Sequence, residues 1–411
     1  MVPAPWCGRY CRALVSLDLA AMAAPESRKG DALLFYADGY KFPDVYHVTR
    51  FLAPDPIIAL EQDGEVVIVA NSLEEGRARK ESRAREVFNI DDFGAKEFSK
   101  TATTREELDA MVIDRFLQAR GLRRVAVGTY FPLGMAERLR GAGVEIVIDR
   151  GLSDRRRTKR PDEIEALEAA QRATEDAWAK GVESLKRSTV RKDGTLELDG
   201  ETFTAERLRA VVELRLLELG CVSEGAIIAP GKQAADPHMI GSGPLHAGEA
   251  IVMDIFPQNK TTRYWADMTR TVSKGEPPAE IVKMYEITKR AQDAGIKALR
   301  PGVTGREVHE LVEDIIFDAG YDTLRPGQQR SKNGGGPRGF IHGTGHGVGL
   351  EIHEMPTVGR SGTKPLAPGD VVTVEPGIYL PELGGVRLED MLVITETGSR
   401  DLTRAPRQLV V

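Results

Sequence analysis

Residues 340–395 read FIHGTGHGVGLEIHEMPTVGRSGTKPLAPGDVVTVEPGIYLPELGGVRLEDMLVIT, and the rest of the 411-residue chain is organised around this stretch. It combines strand-like apolar runs next to acids with three of the seven histidines of the chain. The candidate metal-binding side chains within it are His342, His346, His353, Glu375 and Glu389. Two upstream carboxylates, Asp254 and Asp267, adjoin similar apolar runs. Imidazole and carboxylate groups in this combination favour a two-metal hydrolase.

An internal repeat connects the upstream acids with the stretch. The segment 244–254 (PLHAGEAIVMD) has the same layout as 365–375 (PLAPGDVVTVE), with Pro-Leu, a turn glycine, an acid, an apolar strand and a final carboxylate. The helices before these segments repeat as well, at 162–184 and 204–220 in the first half and at 279–299 and 304–320 in the second. The pattern predicts a duplicated α-α-β unit whose halves face each other about a pseudo-twofold axis. Asp254 and Glu375 then lie on equivalent strands and should converge.

Each half offers a second acid on a neighbouring strand, Asp267 in the first half and Glu389 in the second. Any one of the four acids could be a turn or capping residue. Four carboxylates brought together would repel one another, and two divalent cations would neutralise them. Their symmetric positions, with histidines between them, therefore favour the metal site.

The segment from His342 to His353 cannot be a helical zinc motif, although His342 and His346 have H-x3-H spacing. Four glycines between positions 343 and 349 make a helix implausible and indicate a loop that enters a strand. Strand alternation would put His346 and His353 on opposite faces, so we expect either a glycine bulge or distinct roles for the two. An oxygen-rich ligand set with one imidazole suits Mn, Co or Fe at least as well as Zn.

The N-terminal part of the chain predicts a separate α/β domain. Residues 1–24 include an apolar run that Asp18 interrupts, which favours a disordered extension over a secretory signal. Residues 25–155 alternate predicted strands at 32–36, 57–60, 66–70, 124–128 and 144–148 with a helix at 105–121. His47 is the only histidine there and is interpreted as structural. Residues 156–411 form the predicted catalytic domain.

Composition and charge exclude several classes of partner. A hydrophobic content of 41% and a charged content of 29% are ordinary for a soluble globular protein. The net charge of −6 argues against nucleic-acid and anionic-membrane partners, so the basic run 155–160 is interpreted as a solvated linker rather than a nucleic-acid patch. No apolar run is long enough to span a membrane. Three cysteines give no disulfide framework, which fits a cytoplasmic protein.

Together these residues resemble the pita-bread metallopeptidases, the family of methionine aminopeptidase, aminopeptidase P, prolidase and creatinase. The resemblance is strong from Pro161 to Thr395, and the N-terminal domain is similar to the creatinase/prolidase-type N-terminal domain. It implies an α/β (α+β) fold in which an N-terminal α/β domain precedes a pita-bread domain. The metal ligands that it implies are Asp254, Asp267, His346, Glu375 and Glu389.

The resemblance also implies roles for the individual residues. Asp267 and Glu389 would bridge two metals, Asp254 would bind one, and His346 with Glu375 would complete the other. The implied catalytic residues are His238, His353 and Glu375. The implied substrate-binding residues are His342, Tyr379 and Arg387, of which the last would either organise the site or hold a substrate carboxylate. His309 is interpreted as a surface or packing residue.

The implied activity is that of a two-metal exopeptidase that cleaves between an N-terminal residue and proline, as an Xaa-Pro aminopeptidase or an Xaa-Pro dipeptidase. The additional N-terminal domain favours this branch over a methionine aminopeptidase. The alternatives are a creatinase-like hydrolase of another small amide and a peptide-binding module with little turnover. The expected cofactors are two divalent ions, with manganese favoured and cobalt, iron or zinc also fitting. The expected partners are a peptide substrate and a second copy in a homodimer.

One departure from the family is visible. The gap of thirteen positions between Asp254 and Asp267 is longer than the turn that the family usually has, and it includes the aromatic insert 263–265. We expect this insert to affect substrate access.

Overall fold

The computed structural model describes residues 27–28, 30–325 and 338–411. It divides into two compact units, with the boundary between Arg150 and Gly151. The predicted N-terminal extension, residues 1–24, lies outside the described residues. None of the described helices is both long enough and apolar enough to cross a membrane.

The first unit is built on a six-stranded mixed sheet with the strand order β4-β3-β2-β1-β5-β6. Its strands are β1 (Leu33–Ala37), β2 (Ile57–Gln62), β3 (Glu65–Ala70), β4 (Glu86–Asn89), β5 (Arg124–Val127) and β6 (Glu145–Ile148). Its helices are α1 (Pro43–Thr49), α2 (Glu75–Glu81), α3 (Ala95–Phe98), α4 (Arg105–Ala119) and α5 (Leu133–Gly141), with a 3₁₀ turn at Ile90–Phe93.

Local sequence explains the centre of this sheet. β2 and β3 are buried along almost their whole length, which is why they read as continuous apolar runs rather than as an alternating pattern. The hairpin between them turns at Asp63 and Gly64, both of which have positive φ, at 51° and 82°. Such a two-residue turn matches the right-handed twist of the paired strands. The strands and the long helix predicted for this region are present.

The second unit contains the duplication. Its helices are α6 (Pro161–Arg187), α7 (Ala205–Glu218), α8 (Ala279–Ala298) and α9 (Gly305–Asp318), with 3₁₀ turns at Ser153–Arg156 and Gly231–Ala235. The strands of its first part are β7 (Thr189–Val190), β8 (Leu196–Leu198), β9 (Glu201–Thr202), β10 (Cys221–Val222), β11 (Ile227–Pro230), β12 (Ile251–Ile255), β13 (Gln258–Asn259) and β14 (Met268–Val272). The later strands are β15 (Gly345–Gly347), β16 (Glu354–Val358), β17 (Val371–Val374), β18 (Gly377–Leu380), β19 (Gly384–Arg387), β20 (Asp390–Ile394) and β21 (Ser399–Asp401).

The two halves repeat the same arrangement, which confirms the predicted duplication. In the first half, α6 and α7 pack with the sheet β11-β12-β14, and in the second half α8 and α9 pack with the sheet β16-β15-β17-β20-β21. Thr204 and Thr304 cap α7 and α9 by accepting a hydrogen bond from a backbone amide three residues ahead. Each also forms an isolated antiparallel bridge, to Pro244 in one half and to Pro365 in the other.

Candidate active site

The first half brings its two acids together on neighbouring antiparallel strands. Asp254 lies in β12, and Asp267 directly precedes β14, whose Thr269 is opposite Asp254 in the ladder. The connection between the strands is longer than a simple turn, because β13 within it pairs with β10. Asp254 is partly buried, whereas Asp267 is only 4% exposed.

The second half contributes Glu375 directly after β17 and Glu389 directly before β20, two strands that are also antiparallel neighbours. Glu389 is 2% exposed. His346 is the central residue of β15, which pairs with β17. The two halves are hydrogen-bonded at this point, since Thr269 Oγ1 donates to Glu389 Oε2 at 2.8 Å and the Glu389 amide donates to the Thr269 carbonyl at 3.0 Å.

These strands bring some of the predicted ligands closer to one another than others. Asp267, His346 and Glu389 each present a ligand atom within 4.8 Å of the other two. His346 Nε2 lies 3.6 Å from Asp267 Oδ2 and 3.2 Å from Glu375 Oε1. Asp254 is instead held by Arg387, whose Nη2 donates to Asp254 Oδ2 at 2.7 Å. The charge of Asp254 nevertheless acts on both Asp267 and Glu389, so it belongs to the same electrostatic cluster.

Burial of several acids in one place changes their protonation. Burial and the charges of Glu389 and Asp254 raise the pKa of Asp267 well above its usual value. Burial and the charges of Glu375 and Asp254 likewise raise the pKa of Glu389. Both shifts report an excess of negative charge that the protein does not itself compensate. A bound cation would remove this repulsion.

His346 and Glu375 form a buried ion pair within the cluster. Burial favours the neutral carboxyl, but the hydrogen bond from His346 and the nearby positive charges together outweigh it and lower the pKa of Glu375. Burial likewise disfavours the charged imidazole, but the same hydrogen bond and the surrounding carboxylates raise the pKa of His346. Metal binding would displace this proton from His346, because a ligating imidazole must be neutral.

Two buried oxygens identify the chemistry that the site can accept. Asp254 Oδ1 and Glu389 Oε1 have no hydrogen-bond partner among the residues that the structure describes. Unpaired buried carboxylate oxygens are costly and therefore uncommon. Carboxylate oxygens with a single imidazole form a donor set suited to divalent cations such as Mn²⁺, Fe²⁺, Co²⁺ or Zn²⁺. The residues present therefore fit a metal pair.

A polar chain lines the site next to Asp254. His342 Nε2 lies 2.8 Å from Tyr379 Oη, which accepts a hydrogen bond from Arg387 Nη1 at 3.0 Å. Burial raises the pKa of Tyr379 to about 12, so its phenol is neutral. Arg387 is 3% exposed, and each of its three guanidinium nitrogens donates to a protein oxygen, including Thr269 Oγ1. This geometry favours the organising role for Arg387 over the binding of a substrate carboxylate.

The remaining histidines occupy different environments. The exposed ring of His353 lies edge-on to His346, with 4.3 Å between the ring centroids. Burial lowers the pKa of both His342 and His353, and the exposed His238 adds to both shifts, which indicates that it lies near these two rings. His309 is buried in α9 with Nδ1 2.9 Å from Thr344 Oγ1, so it is a packing residue and not a surface residue.

Comparison with known proteins identifies this arrangement. The model of metallopeptidase family M24 matches residues 165–396, which include all five predicted ligands. The chain belongs to metallopeptidase family M24. Its members are dinuclear metal-dependent enzymes, and the cluster of Asp267, His346 and Glu389 is a possible metal-binding group.

Individual relatives place this M24 metallopeptidase in the prolidase branch. It is 32% identical over 264 residues to the Xaa-Pro dipeptidase of Pyrococcus furiosus, covering 64% of this chain and 68% of that protein. The crystal structure of the prolidase from Pyrococcus horikoshii is similar with a TM-score of 0.71 at 28% identity, covering 93% of this chain and 96% of that one. The X-Pro aminopeptidase structure from Thermotoga maritima gives a TM-score of 0.75 at 25% identity, covering 93% and 98%. The sequence match to another curated relative, a peptidase of Bacillus subtilis, spans 57% of that protein's length.

Several supporting residues of the M24 site were not predicted from the sequence. Thr373 Oγ1 accepts a hydrogen bond from the His346 amide at 3.1 Å and donates to Glu375 Oε1 at 3.3 Å. The Gln171 side-chain amide bonds both the carbonyl and the amide of Asp267. A sequence signal did exist for Thr269 and Thr373, since each lies two residues from a ligand and therefore on the same strand face.

The basic run corrects another prediction. Arg156, Arg157 and Lys159 form ion pairs with acids of the same unit, and their side chains are only 4%, 14% and 1% exposed. Their partners are Glu354 for Arg156 and Lys159, and Asp370 for Arg157. The interpretation of residues 155–160 as a solvated linker was therefore wrong, because three of its side chains are structural and largely buried.

Proposed function

We propose that this M24 peptidase is a two-metal exopeptidase that cleaves the bond between an N-terminal residue and proline, as an aminopeptidase or a dipeptidase. The observation that carries the proposal is the buried cluster of Asp267, His346 and Glu389, with unpaired oxygens on Asp254 and Glu389. The names of the similar relatives and structures support the Xaa-Pro specificity.

The metal ligands are proposed to be Asp254, Asp267, His346, Glu375 and Glu389. The two ions would be held by these five residues, with Asp254 and Asp267 contributed by the first half and His346, Glu375 and Glu389 by the second. When bound, two divalent ions at these ligands supply a lowered pKa for an attacking water and polarisation of the scissile carbonyl. Manganese is the proposed physiological ion, since an oxygen-rich set with one imidazole suits it.

The protein's own residues then handle protons and developing charge. Glu375 accepts the proton of the attacking water and passes it to the proline nitrogen, which must be protonated to leave as an amine. His353 and His238 donate hydrogen bonds to the carbonyl oxygen as its negative charge develops. His342 and Tyr379 line the pocket on the proline side, and Arg387 fixes Tyr379 and Asp254.

The domain assignment belongs to the same proposal. Residues 25–155 are proposed to be a creatinase/prolidase-type N-terminal domain, and residues 156–411 the catalytic domain. The six-stranded sheet of the first unit and the solved structures that cover 93% of the chain support it. A homodimer and a cytoplasmic location are proposed with it.

The test is hydrolysis of a peptide panel by metal-stripped protein with and without added Mn²⁺. The panel contains Xaa-Pro dipeptides, Xaa-Pro-Yaa tripeptides and Met-Ala-Ser, with creatine as an unrelated substrate. We expect Mn²⁺-dependent release from proline substrates only, and the ratio of dipeptide to tripeptide turnover separates the two activities. Glu375→Ala should abolish turnover, whereas Glu396→Ala, which changes an exposed carboxylate, should not.

Two outcomes would contradict the proposal. Metal-loaded protein that cleaves creatine and no peptide would make it a creatinase-like amidinohydrolase. Peptide binding that persists after chelation, without turnover in any metal, would make it a binding module.

A further inference from the structure

Arg156 and Lys159, the two most buried cations of the basic run, share one ion-pair partner, Glu354. Glu354 opens β16 and its side chain is 5% exposed. Arg156 Nη1 lies 2.8 Å from Glu354 Oε2, and Lys159 Nζ lies 2.6 Å from Glu354 Oε1. Each oxygen of one buried carboxylate is therefore held by a different cation. Arg156 also pairs with Glu351, so the group of two cations and two acids is neutral.

Such a group is not needed for stability alone. The desolvation of buried ions offsets most of their attraction, and an apolar replacement is often equally stable. Buried ion pairs can instead specify one conformation over others. The ion pairs of Glu354 are therefore expected to specify the conformation of the backbone around this residue.

Glu354 closes a tight bend that begins at Gly349. The Gly349 amide donates to the Glu351 carbonyl at 3.0 Å. A Cβ added to Gly349 would lie 2.2 Å from Glu354 Oε1, so this position needs glycine. On the other side, Trp265 Nε1 donates to the Leu350 carbonyl at 3.1 Å, and the Trp265 amide donates to the Gly349 carbonyl at 2.9 Å. The bend is fixed from both ends.

His353 is carried by this bend, directly before Glu354. Its ring is exposed and contacts the ring of His346, but among the described residues it has no hydrogen-bond partner that would orient it. The direction of the imidazole therefore depends on the backbone that carries it. Glu354, held by its two cations, is the next residue in the chain and is fixed in place.

We propose that Glu354, held between Arg156 and Lys159, is a positioning residue that fixes the bend and thereby aims His353 at the substrate carbonyl. The inference rests on the proposed function, in which His353 contacts the reacting oxygen. It also gives the aromatic insert a role, since Trp265 fixes the same bend from the first half.

The run supplies its own control. Arg157 lies in the same segment and pairs with a fully buried acid, Asp370, but not with the bend. Arg157→Gln therefore removes a comparable ion pair without touching the support of His353. Loss of stability alone should affect both positions, whereas loss of positioning should affect only Glu354.

The test is a double-mutant cycle on the metal-loaded enzyme with an Xaa-Pro substrate that the wild type cleaves. Glu354→Gln should lower kcat by about 10- to 100-fold, as for other residues that orient active-site groups, with KM nearly unchanged. In the His353→Ala background the same change should have no further effect, because the residue that it positions is gone. Arg157→Gln should lower the unfolding temperature and leave kcat unchanged. Additive losses for Glu354→Gln and His353→Ala would overturn the inference.

A second variant and a second readout keep the inference separate from the proposed function. If Glu354→Gln does not fold, Lys159→Met removes one of its two supports and should show the same lack of additivity. Histidine NMR of the Zn²⁺-loaded protein needs no substrate, and His353→Ala assigns the signal. That signal should shift or broaden in Glu354→Gln and stay in place in Arg157→Gln. An unchanged signal would refute the positioning role even if peptides are cleaved, and a moved signal would support it even if they are not.

Discussion

Thr204 and Thr304 begin corresponding helices in the two halves of the catalytic unit, and the residue five positions further along differs between them. In the first half this residue is Arg209, which donates to the carbonyls of Ala226 at 2.8 Å and Gly241 at 2.7 Å. In the second half it is His309, which bonds the Thr344 hydroxyl. Each helix therefore holds a loop next to a histidine of the proposed site, by a cation in one half and by a neutral ring in the other.

The strands that face the proposed metal ligands differ between the two halves more strongly than these helices do. Ile227 of β11 lies opposite Asp254, and Thr344, before β15, accepts a hydrogen bond from the amide of the equivalent acid Glu375. Ala229 lies two positions after Ile227, and His346 lies two positions after Thr344. His346 therefore corresponds to Ala229 of the first half. The apolar strand of the first half has become Gly-His-Gly in the second. The duplication thus supplies the carboxylates of the proposed site from both halves, whereas the proposed imidazole ligand comes from one.

The strongest test of this sharing compares the more buried of the two proposed carboxylate ligands in each half. We expect Asp267→Asn and Glu389→Gln each to lose bound metal and to lower kcat/KM by about 10³-fold, since metal ions supply several kcal/mol to the transition state. Metal content and peptide turnover are the measurements. The exposed Glu249→Gln serves as the control.

In metal-free protein, the same two substitutions should not be harmful to the fold. Because burial and mutual repulsion raise the pKa of both acids, their neutral replacements should not lower the unfolding temperature of metal-stripped protein. If one variant kept both ions and full activity, the two halves would not share the site equally.

The sequence predicted the scaffold because it follows from local patterns, whereas the ligand set stays a prediction. Helix caps, apolar strands and the repeated Pro-Leu-x-x-Gly-acid segment are short-range signals, and the observed elements match the predicted ones within a few residues. The comparisons confirm the predicted family and its prolidase branch. The prediction that His346 and His353 require either a glycine bulge or distinct roles was also correct, since the β15 register is irregular between Gly345 and Gly347.

The one error, at the basic run, and the two interpretations that stayed open, at His309 and Arg387, concern residues whose partners are far away in the chain. Lys159 and Glu354 are 195 positions apart, so nothing near residue 159 shows that its charge is buried. His309 lies on a helix face whose cover, Thr344 and Phe340, arrives only after the helix has ended. For Arg387 the sequence left two roles open, and only the distances to Tyr379 and Asp254 favour one of them.

A smaller effect is expected from replacing one buried helix glycine by alanine in the core of each half. Gly181 of α6 and Gly295 of α8 both pack against a strand, and an added Cβ would meet its nearest atom at 2.9 Å in each case. That atom is the flexible end of Met253 in the first half, but a methyl of the branched Val312 in the second. Gly295→Ala should therefore cost about 2 kcal/mol in the free energy of unfolding, while Gly181→Ala should be nearly neutral because helix propensity offsets the strain.

Urea unfolding of the metal-stripped proteins measures this difference. Gly295→Ala should also reduce turnover, since the added methyl would lie 3.1 Å from Val374, the residue before Glu375. Equal costs in the two halves would mean that the second core is as adaptable as the first.

The smallest expected effect is a pH dependence that only the second half contributes. Burial lowers the pKa of His309 from 6.5 to about 4. Above pH 6.5 both the folded and the unfolded state keep this ring neutral, and between pH 6.5 and 4 only the unfolded state takes up the proton. His309 therefore stabilises the fold at neutral pH, and this contribution is lost as the pH falls through that window.

The loss should amount to about 1 kcal/mol between pH 6 and pH 5, below the limit of about 1.4 kcal/mol per pH unit for one proton. Asn at position 309 can keep a hydrogen bond to Thr344 but does not titrate, so His309→Asn should flatten the pH dependence of unfolding by that amount. Arg209→Gln, at the corresponding position of the first half, should leave the wild-type slope in place. Metal-stripped protein is used so that acid release of the ions does not contribute. An unchanged slope in His309→Asn would show that the ring is protonated in the folded state, and the neutral contact that distinguishes the second half would then be an ionic one, as in the first.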